Sequence, residues 1–538
     1  MNRFNMISKT GMIVGLSTSL LFGCQSTTTP SLPSDSAQND SPLTFPLKEP
    51  ITLKYWATLP PNVASTASSY KETDFYKELE KRTNIKIEFI HPPVGQEKEA
   101  LNLMLAGKEL PDIIESDFAT YSGGLVKAKE EDFIIPLNSH LKQFAPNLTK
   151  MMDSNPNISR EIKTSDGNIL FFPNIRNDVE SLVSTGPIMR KDWLTELGLK
   201  APVTLDEWYV VLKAFKEKKG AKAPLTLMLS NLGNGSPFIG SFGIGAGYYT
   251  DKNKVKFGPI EPGYKEFLTL FRKWYQEGLL DSEFAINNTK TFEGKILSGE
   301  TGAFIAANGG LERYLVQGKS KTPNYDLEGV PYPSKVTNEA VRFLSKANPV
   351  GRGKVITITT ANKHVKESIA LADYGYGKEG SMFYSYGTEG VTYKLDNGKL
   401  QFTDFITKNP KGLSITNALL NNARGNNGGS YALDSRFFDL YWPLPQQKTS
   451  NQAWSKYLKE NTANNTEVMG TLTTEESSLI ASKETEITTY KDEMFIKFIM
   501  GQEPLDNFEK YTAQVKKMGI EDVLKMKQTQ HDRYLNTK

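Results

Sequence analysis

The sequence predicts an α/β protein of two or more lobes, exported and held at a membrane. Three observations predict it. Between residues 51 and 114 the pattern runs strand, helix, strand, helix, strand, as in a parallel, helix-covered sheet. The chain has 538 residues, too many for one simple core. Its start carries Arg3 and Lys9, then a short apolar run that ends at Leu21-Phe22-Gly23-Cys24. That is the layout of a secretory signal peptide over residues 1–23. Gly15, Ser17, Thr18 and Ser19 interrupt the run, so it falls short of the ~18 unbroken apolar residues that a spanning helix needs.

Cys24 is the one cysteine of the chain. Leu-x-Gly-Cys at the end of such a run resembles the lipobox of bacterial lipoproteins. The resemblance implies that the thiol receives a diacylglycerol and that the chain is cut just before it. A lone cysteine is often a small core residue, but the residues after Cys24 do not have the composition of a core. Fourteen of the 26 residues from Gln25 to Pro50 are Ser, Thr or Pro. Such a stretch buries too little apolar surface to fold alone, so residues 24–50 read as a lipidated cysteine and a disordered tether. Two acyl chains anchor stably where one does not. The expected location is the extracytoplasmic face of the cell membrane.

Loss of residues 1–23 removes two cations and no acid, taking the net charge from +3 to +1. That balance gives no electrostatic reason to expect nucleic acid as a partner. A single cysteine excludes disulfides within the chain and thiolate metal sites.

Folding is expected to begin at Ile51-Thr52-Leu53-Lys54-Tyr55-Trp56, which alternates as a strand does. A helix near Thr73–Thr83, a second strand at Ile85–Ile90, a helix from Gln96 to about Ala106 and a strand at Pro111–Ile114 come next, with Gly107 ending the second helix. Ile169–Pro173 and Ser181–Ile188 read as extended. Arg190-Lys191-Asp192-Trp193-Leu194 opens a helix, and Thr204-Leu205-Asp206-Glu207 is a capping box for the next. Trp208, Val211, Leu212 and Phe215 then fall at helical spacing, as do Phe267, Leu270, Phe271 and Trp274 before Gly278. Val355–Thr359 returns to strand, Val365–Tyr374 to helix, and the tail from about Glu475 is an amphipathic helix broken at Gly501-Gln502-Glu503-Pro504.

Several of these stretches together resemble a known family: Pro111-Asp112-Ile113-Ile114, Arg190 to Leu194, Thr204-x-x-Glu207-Trp208, Lys273-Trp274-Tyr275-Gln276-Glu277-Gly278-Leu279-Leu280-Asp281, Tyr386-Gly387-Thr388-Glu389-Gly390 and Asp532-Arg533-Tyr534. They resemble the lipoprotein solute-binding proteins of carbohydrate ABC importers, in the long branch related to alginate-oligosaccharide binding proteins. The resemblance covers Ile51 to Tyr534. It implies a two-lobed fold of the periplasmic-binding-protein kind (class II), with the ligand cleft between lobes joined by crossover strands. The N-lobe would take residues 51–180 and 351–435, the C-lobe 181–350 and 436–538. The partners implied are an oligosaccharide and the permease subunits of an ABC transporter, with the protein itself a monomer and not an enzyme. A surface glycoside hydrolase and a sugar-sensing accessory of a signalling receptor are the alternatives.

Trp193, Trp208, Trp274 and Trp454 lie on expected helices and read as core. Trp56 ends the first strand, and in open α/β sheets ligands sit beyond the carboxyl ends of strands. Trp442 lies in Phe437-Phe438-Asp439-Leu440-Tyr441-Trp442-Pro443. Both rings are candidates to stack on sugar, with a packed loop anchor as the alternative. Glu115 and Asp117 come after the third strand and could hold hydroxyls, or serve as a cap or solvated loop acid. Tyr386, Glu389, Arg436 and Tyr441 are weaker candidates of the same kind.

Catalytic motifs are thin. His91, His140, His364 and His531 are scattered without the H-E-x-x-H spacing of a zinc site. No G-x-S-x-G or G-x-x-x-x-G-K-[ST] occurs, and Gly375-Tyr376-Gly377-Lys378-Glu379-Gly380 comes after a helix, which makes it a loop rather than a nucleotide fingerprint. Paired glycosidase carboxylates stay possible. Where the alginate-binding relatives carry an acidic calcium loop, this chain reads Lys216-Glu217-Lys218-Lys219-Gly220-Ala221-Lys222-Ala223-Pro224. A calcium site needs several oxygen ligands, so neither metal nor cofactor is expected.

Overall fold

The computed structural model describes residues 43–536 apart from 177, 179–181, 233–236, 343, 345, 347, 426 and 464–466. The expected signal peptide, Cys24 and most of the expected tether lie outside the described residues.

The first lobe is built on a six-stranded sheet. From edge to edge it runs Tyr431–Leu433, Phe172–Arg176, Val350–Ile358, Ile113–Asp117, Ile51–Ala57 and Ile85–Ile90. The three strands nearest the chain start are mutually parallel, Ile51 opposite Ile85 and Tyr55 opposite Ile113, with helices Asp74–Thr83 and Glu97–Gly107 as crossovers. Val350–Ile358 runs antiparallel to both of its neighbours. It returns from the second lobe and passes through the middle of this sheet. The register of Ile51–Ala57 puts Leu53 and Tyr55 inside, and Trp56 is also buried because helices cover both faces.

Two details differ from the expectation. The helix from Glu97 includes Gly107, and Lys108 takes the left-handed cap at φ 55°. The tether also ends before Pro50. Phe45 meets Tyr374 edge to face at 5.9 Å, and Leu47 exchanges backbone and side-chain hydrogen bonds with Thr83 and Asn84.

The second lobe holds a four-stranded sheet in the order Leu327–Gly329, Thr185–Arg190, Ala303–Ala307, Leu225–Thr226. Successive residues of a strand face opposite sides. Met189 and Ile305 therefore join one core, with Trp208, Phe215, Phe238, Phe271 and Trp274, while Ile188 and Phe304 join another, with Trp454. The capping box at Thr204 and Glu207 forms on Leu205–Lys219, each side chain bonded to the other's backbone N–H. The long tail helix Thr474–Met500 packs on Pro262–Gln276 through Phe495, Phe267 and Tyr264. Gly375–Gly380 divides between a turn and the start of helix Lys378–Tyr386.

The return to the second lobe falls later in the chain than Arg436. Phe437, Phe438 and Trp442 belong to the first core, and Leu444 packs against a core of the second lobe. Aromatic packing of a short helix, Phe437–Tyr441, holds this stretch to the first sheet.

Gly186 and Trp454 approach each other closely. Trp454 donates its indole N–H to Pro187 at 3.2 Å, and a Cβ on Gly186 would fall 2.5 Å from that ring. Gly186→Ala is expected to lower stability by about 1–3 kcal/mol, the range for overpacking a filled core. Urea melts of the two proteins check it.

Candidate functional site

The parallel strands of the first lobe and Phe172–Arg176 point their carboxyl ends the same way. The antiparallel crossover strand brings its amino end, Val350 to Lys354, to that same edge, where Lys354 stands opposite Asp117 in the backbone ladder. A cavity of about 520 Å³ opens there. It is walled by Asn174 and Arg176 at the end of one strand, Asn348, Arg352 and Lys354 at the start of the crossover, Pro60 beyond the first strand, and Asn427 and Gly428. A neighbouring cavity of about 340 Å³ shares Arg352. Phe118, Tyr121 and Phe171 of the first lobe line it on one side, and Thr471, Leu472, Lys527 and Gln530 of the tail on the other. The two cavities meet at Arg352 and make up the cleft, the polar one lined by the first lobe and the start of the crossover, the aromatic one set between the first lobe and the tail.

The polar end is held in place from below. Glu115, in the third strand, makes a buried ion pair with Arg424 and accepts the Tyr55 hydroxyl at 2.9 Å. Arg424 also donates to Tyr76 at 2.7 Å and to the Asn427 carbonyl at 2.9 Å, and lies 4.9 Å from the centre of the Tyr70 ring. One guanidinium thus holds the backbone at Asn427, which is part of the cavity wall. Burial works against the Arg424 charge, but the Glu115 carboxylate together with the Tyr70, Tyr76 and Tyr55 hydroxyls outweighs it and holds the pKa well above its ordinary value. Burial and the same carboxylate push the Tyr55 phenol up, so it stays a donor.

A second cluster ties the lobes together. Arg352 donates to the Glu161 carboxylate at 2.9 Å, and Tyr534 of the last helix donates to the other oxygen of that carboxylate. The Arg160 guanidinium stacks over the Tyr534 ring at 4.8 Å. Burial, with Glu161 beside it, pushes the Tyr534 hydroxyl up to about 12.

None of the eight ligand candidates read from the sequence lines the polar cavity, although Glu115 and Asp117 stand next to it. Trp56 is 2% exposed and Trp442 5%; both are core rings, the latter 4.5 Å from Phe438, and the expectation of partly open cleft rings does not describe them. Glu115 is spent on Arg424, which corrects its reading as a cap or solvated acid. Asp117 is half-buried and caps the turn next to it, accepting the Ala119 N–H at 3.0 Å. Tyr386 is fully buried and donates to Asp434 at 3.0 Å, and Arg436 pairs with the same carboxylate at 2.8 Å. Glu389 is exposed on the Gly387–Gly390 turn. Tyr441 stacks on Phe437 and reaches Thr416 at 3.2 Å, with Gly309 of the second lobe beside its ring.

The cavity residues that sequence reasoning missed are Asn174, Arg176, Asn348, Arg352, Lys354 and Asn427. A signal for two of them existed: Arg352-Gly353-Lys354 immediately precedes the recognised strand from Val355. Applied to parallel strands, the rule about carboxyl ends overlooks an antiparallel crossover, whose amino end reaches the site.

The loop after helix Leu205–Lys219 does not fit a divalent cation. Three lysines of this segment already serve other partners: Lys216 at the helix end donates to the Glu277 carbonyl, Lys219 pairs with Glu196 and Lys222 with Glu300. Among the described residues no group of three or more His, Cys, Asp or Glu side chains is placed to hold a metal, and no helix is long and apolar enough to cross a membrane.

A two-lobed α/β fold with a cleft at the strand ends defines a class of ligand-binding proteins, and comparison with known proteins gives the family. The model of the bacterial extracellular solute-binding proteins matches residues 64–382, more than half of the chain, and the chain belongs to that family. Similar to it is FusA of Streptococcus pneumoniae, a fructooligosaccharide ABC transporter substrate-binding protein, 25% identical over 99% of each chain. Lipoprotein LipO of Bacillus subtilis is 26% identical over 67% of this chain and 71% of its own length. Among solved structures, alginate-binding protein AlgQ2 without calcium ion superposes with a TM-score of 0.71 and 26% identity, over 91% of this chain and 100% of that one.

Proposed function

We propose that this chain is a lipoprotein of the extracytoplasmic membrane face. It captures an oligosaccharide between its lobes and passes it to the permease of an ABC importer, with no chemistry on the sugar. The observation that carries the reading is the cleft itself. It lies at the strand ends of a two-lobed solute-binding fold, and the crossover strand that joins the lobes supplies part of its wall. Relatives named for sugar uptake and for lipidation support it. The lobes are tied through Glu161 and Tyr534, so ligand contacts at Arg352 reach both.

A screen of purified protein against oligosaccharides tests the reading. Ligand that binds only the folded state raises the melting temperature by mass action. The expected result is a rise with at least one oligosaccharide, and no new reducing ends after prolonged incubation. Sustained release of reducing ends would overturn the binding-only reading in favour of a hydrolase.

Anchoring has its own test. Cys24→Ser is expected to move the protein from the membrane fraction to the medium or periplasm and to leave its melting temperature unchanged, because residue 24 precedes the packed chain. A variant that still sediments with membranes in low and high salt would place the anchor elsewhere.

A further inference from the structure

We infer, building on the solute-binding role proposed above, that the polar cavity of the cleft is made for the carboxylate groups of an acidic oligosaccharide. The polar cavity presents Arg176, Arg352 and Lys354 together with Asn174, Asn348 and Asn427, and among its described lining residues there is neither a carboxylate nor an aromatic ring. A neutral sugar offers hydroxyls that both donate and accept, and apolar faces that stack on rings. A wall suited to it mixes acidic acceptors with aromatics, as the neighbouring cavity does with Glu161, Phe118, Tyr121 and Phe171. In the polar cavity the charged groups can only donate.

The neighbouring acids do not cancel that character. Both bonds from Arg352 to Glu161 use Nη2, and Arg352 Nε is buried without an acceptor. Asn427 Nδ2 is a second buried donor without one. Arg176 feels the charge of Asp178, and Lys354 lies within the electrostatic reach of Glu97. Lys354 is exposed and takes part in no ion pair within 4.0 Å among the described residues. Its ammonium stands one residue beyond Gly353 from Arg352, on the strand that enters the cleft. A guanidinium presents its N–H groups as a fork that matches a planar carboxylate, and an ammonium adds an orientation-tolerant charge. A chain of uronic acid residues supplies such carboxylates to the cations of this cavity.

The test is calorimetry on the chain from residue 25 onward, titrated with tetragalacturonate, tetramannuronate, fully methyl-esterified tetragalacturonate and kestose. At least one acidic tetramer is expected to bind, and its affinity to fall about tenfold between about 0.05 and about 0.3 M salt, as for partly exposed charges. Where tetragalacturonate is that ligand, esterification, which removes the charge and keeps the sugar, is expected to cost about tenfold or more. Lys354→Gln is expected to weaken the acidic ligand about fivefold or more at low salt, with an unchanged melting temperature. Binding of kestose or the ester as tight as that of the acids overturns the inference, as does acid binding that ignores both salt and Lys354→Gln. If only the neutral sugars bind, this inference fails and the oligosaccharide-binding role stands. If no acidic tetramer binds and a broad neutral screen is also silent, both fail.

Discussion

Glu115→Ala is expected to be among the most damaging single changes in the first lobe. It strands the Arg424 guanidinium, whose side chain is 3% exposed, without its carboxylate, and it takes the acceptor from the Tyr55 hydroxyl. Breaking one side of a buried pair costs about 3–5 kcal/mol, because the surviving charge stays desolvated. Glu115→Gln keeps the volume and an acceptor for Tyr55, so the loss should be smaller. Replacing both partners by apolar residues of similar size, Glu115→Leu with Arg424→Met, should recover much of it. Urea denaturation of the four proteins checks the order. Ligand affinity adds a readout that a purely structural pair would not move. Arg424 holds the Asn427 carbonyl, so the double variant should regain stability while its cleft loop, and with it the affinity, stays impaired. A Glu115→Ala protein as stable as the parent would show that the pair does not form.

The second large effect is Trp442→Ala. The ring is 5% exposed and rests on Phe438 in the first core. Truncating a buried tryptophan costs about 3–5 kcal/mol through lost burial and the cavity left behind. Melting temperature should therefore fall sharply, while calorimetry on the fraction that remains folded should find ligand affinity little changed. The opposite result, intact stability with lost affinity, would return Trp442 to the binding surface. The same pair of measurements on Trp56→Ala should give the same pattern, since that ring is 2% exposed.

Glu115 and Trp442 both lie where local sequence patterns stop being informative. Strand alternation at Ile51–Trp56 and Ile85–Ile90, the Thr204–Glu207 capping box and the Phe267–Trp274 stripe were legible, because each depends on neighbours within one turn or one strand. The parallel pairing of the first three strands was legible from their helical crossovers. The lining of the cleft was not. Glu115 reads as a loop acid until Arg424, far along the chain, is folded onto it. Trp442 reads as an open ring beside two prolines until Phe438 and the first sheet close over it. Arg352 and Lys354 read as a charged start to a strand until that strand is found to run antiparallel to its neighbours.

By itself the sequence determined the α/β class, the division into more than one core, most elements to within a few residues and the absence of disulfides. These are set by composition and by short-period patterns that the backbone imposes locally. Tertiary structure alone decided which charges are spent inside and which face the ligand. Arg424 and Arg352 are the same residue type, in loops or strand ends of similar composition. Both pair with a buried carboxylate, but Arg424 is enclosed behind the wall it holds, while Arg352 is itself part of the cavity lining. That distinction depends on desolvation and on partners brought together across hundreds of residues, and no local pattern encodes it.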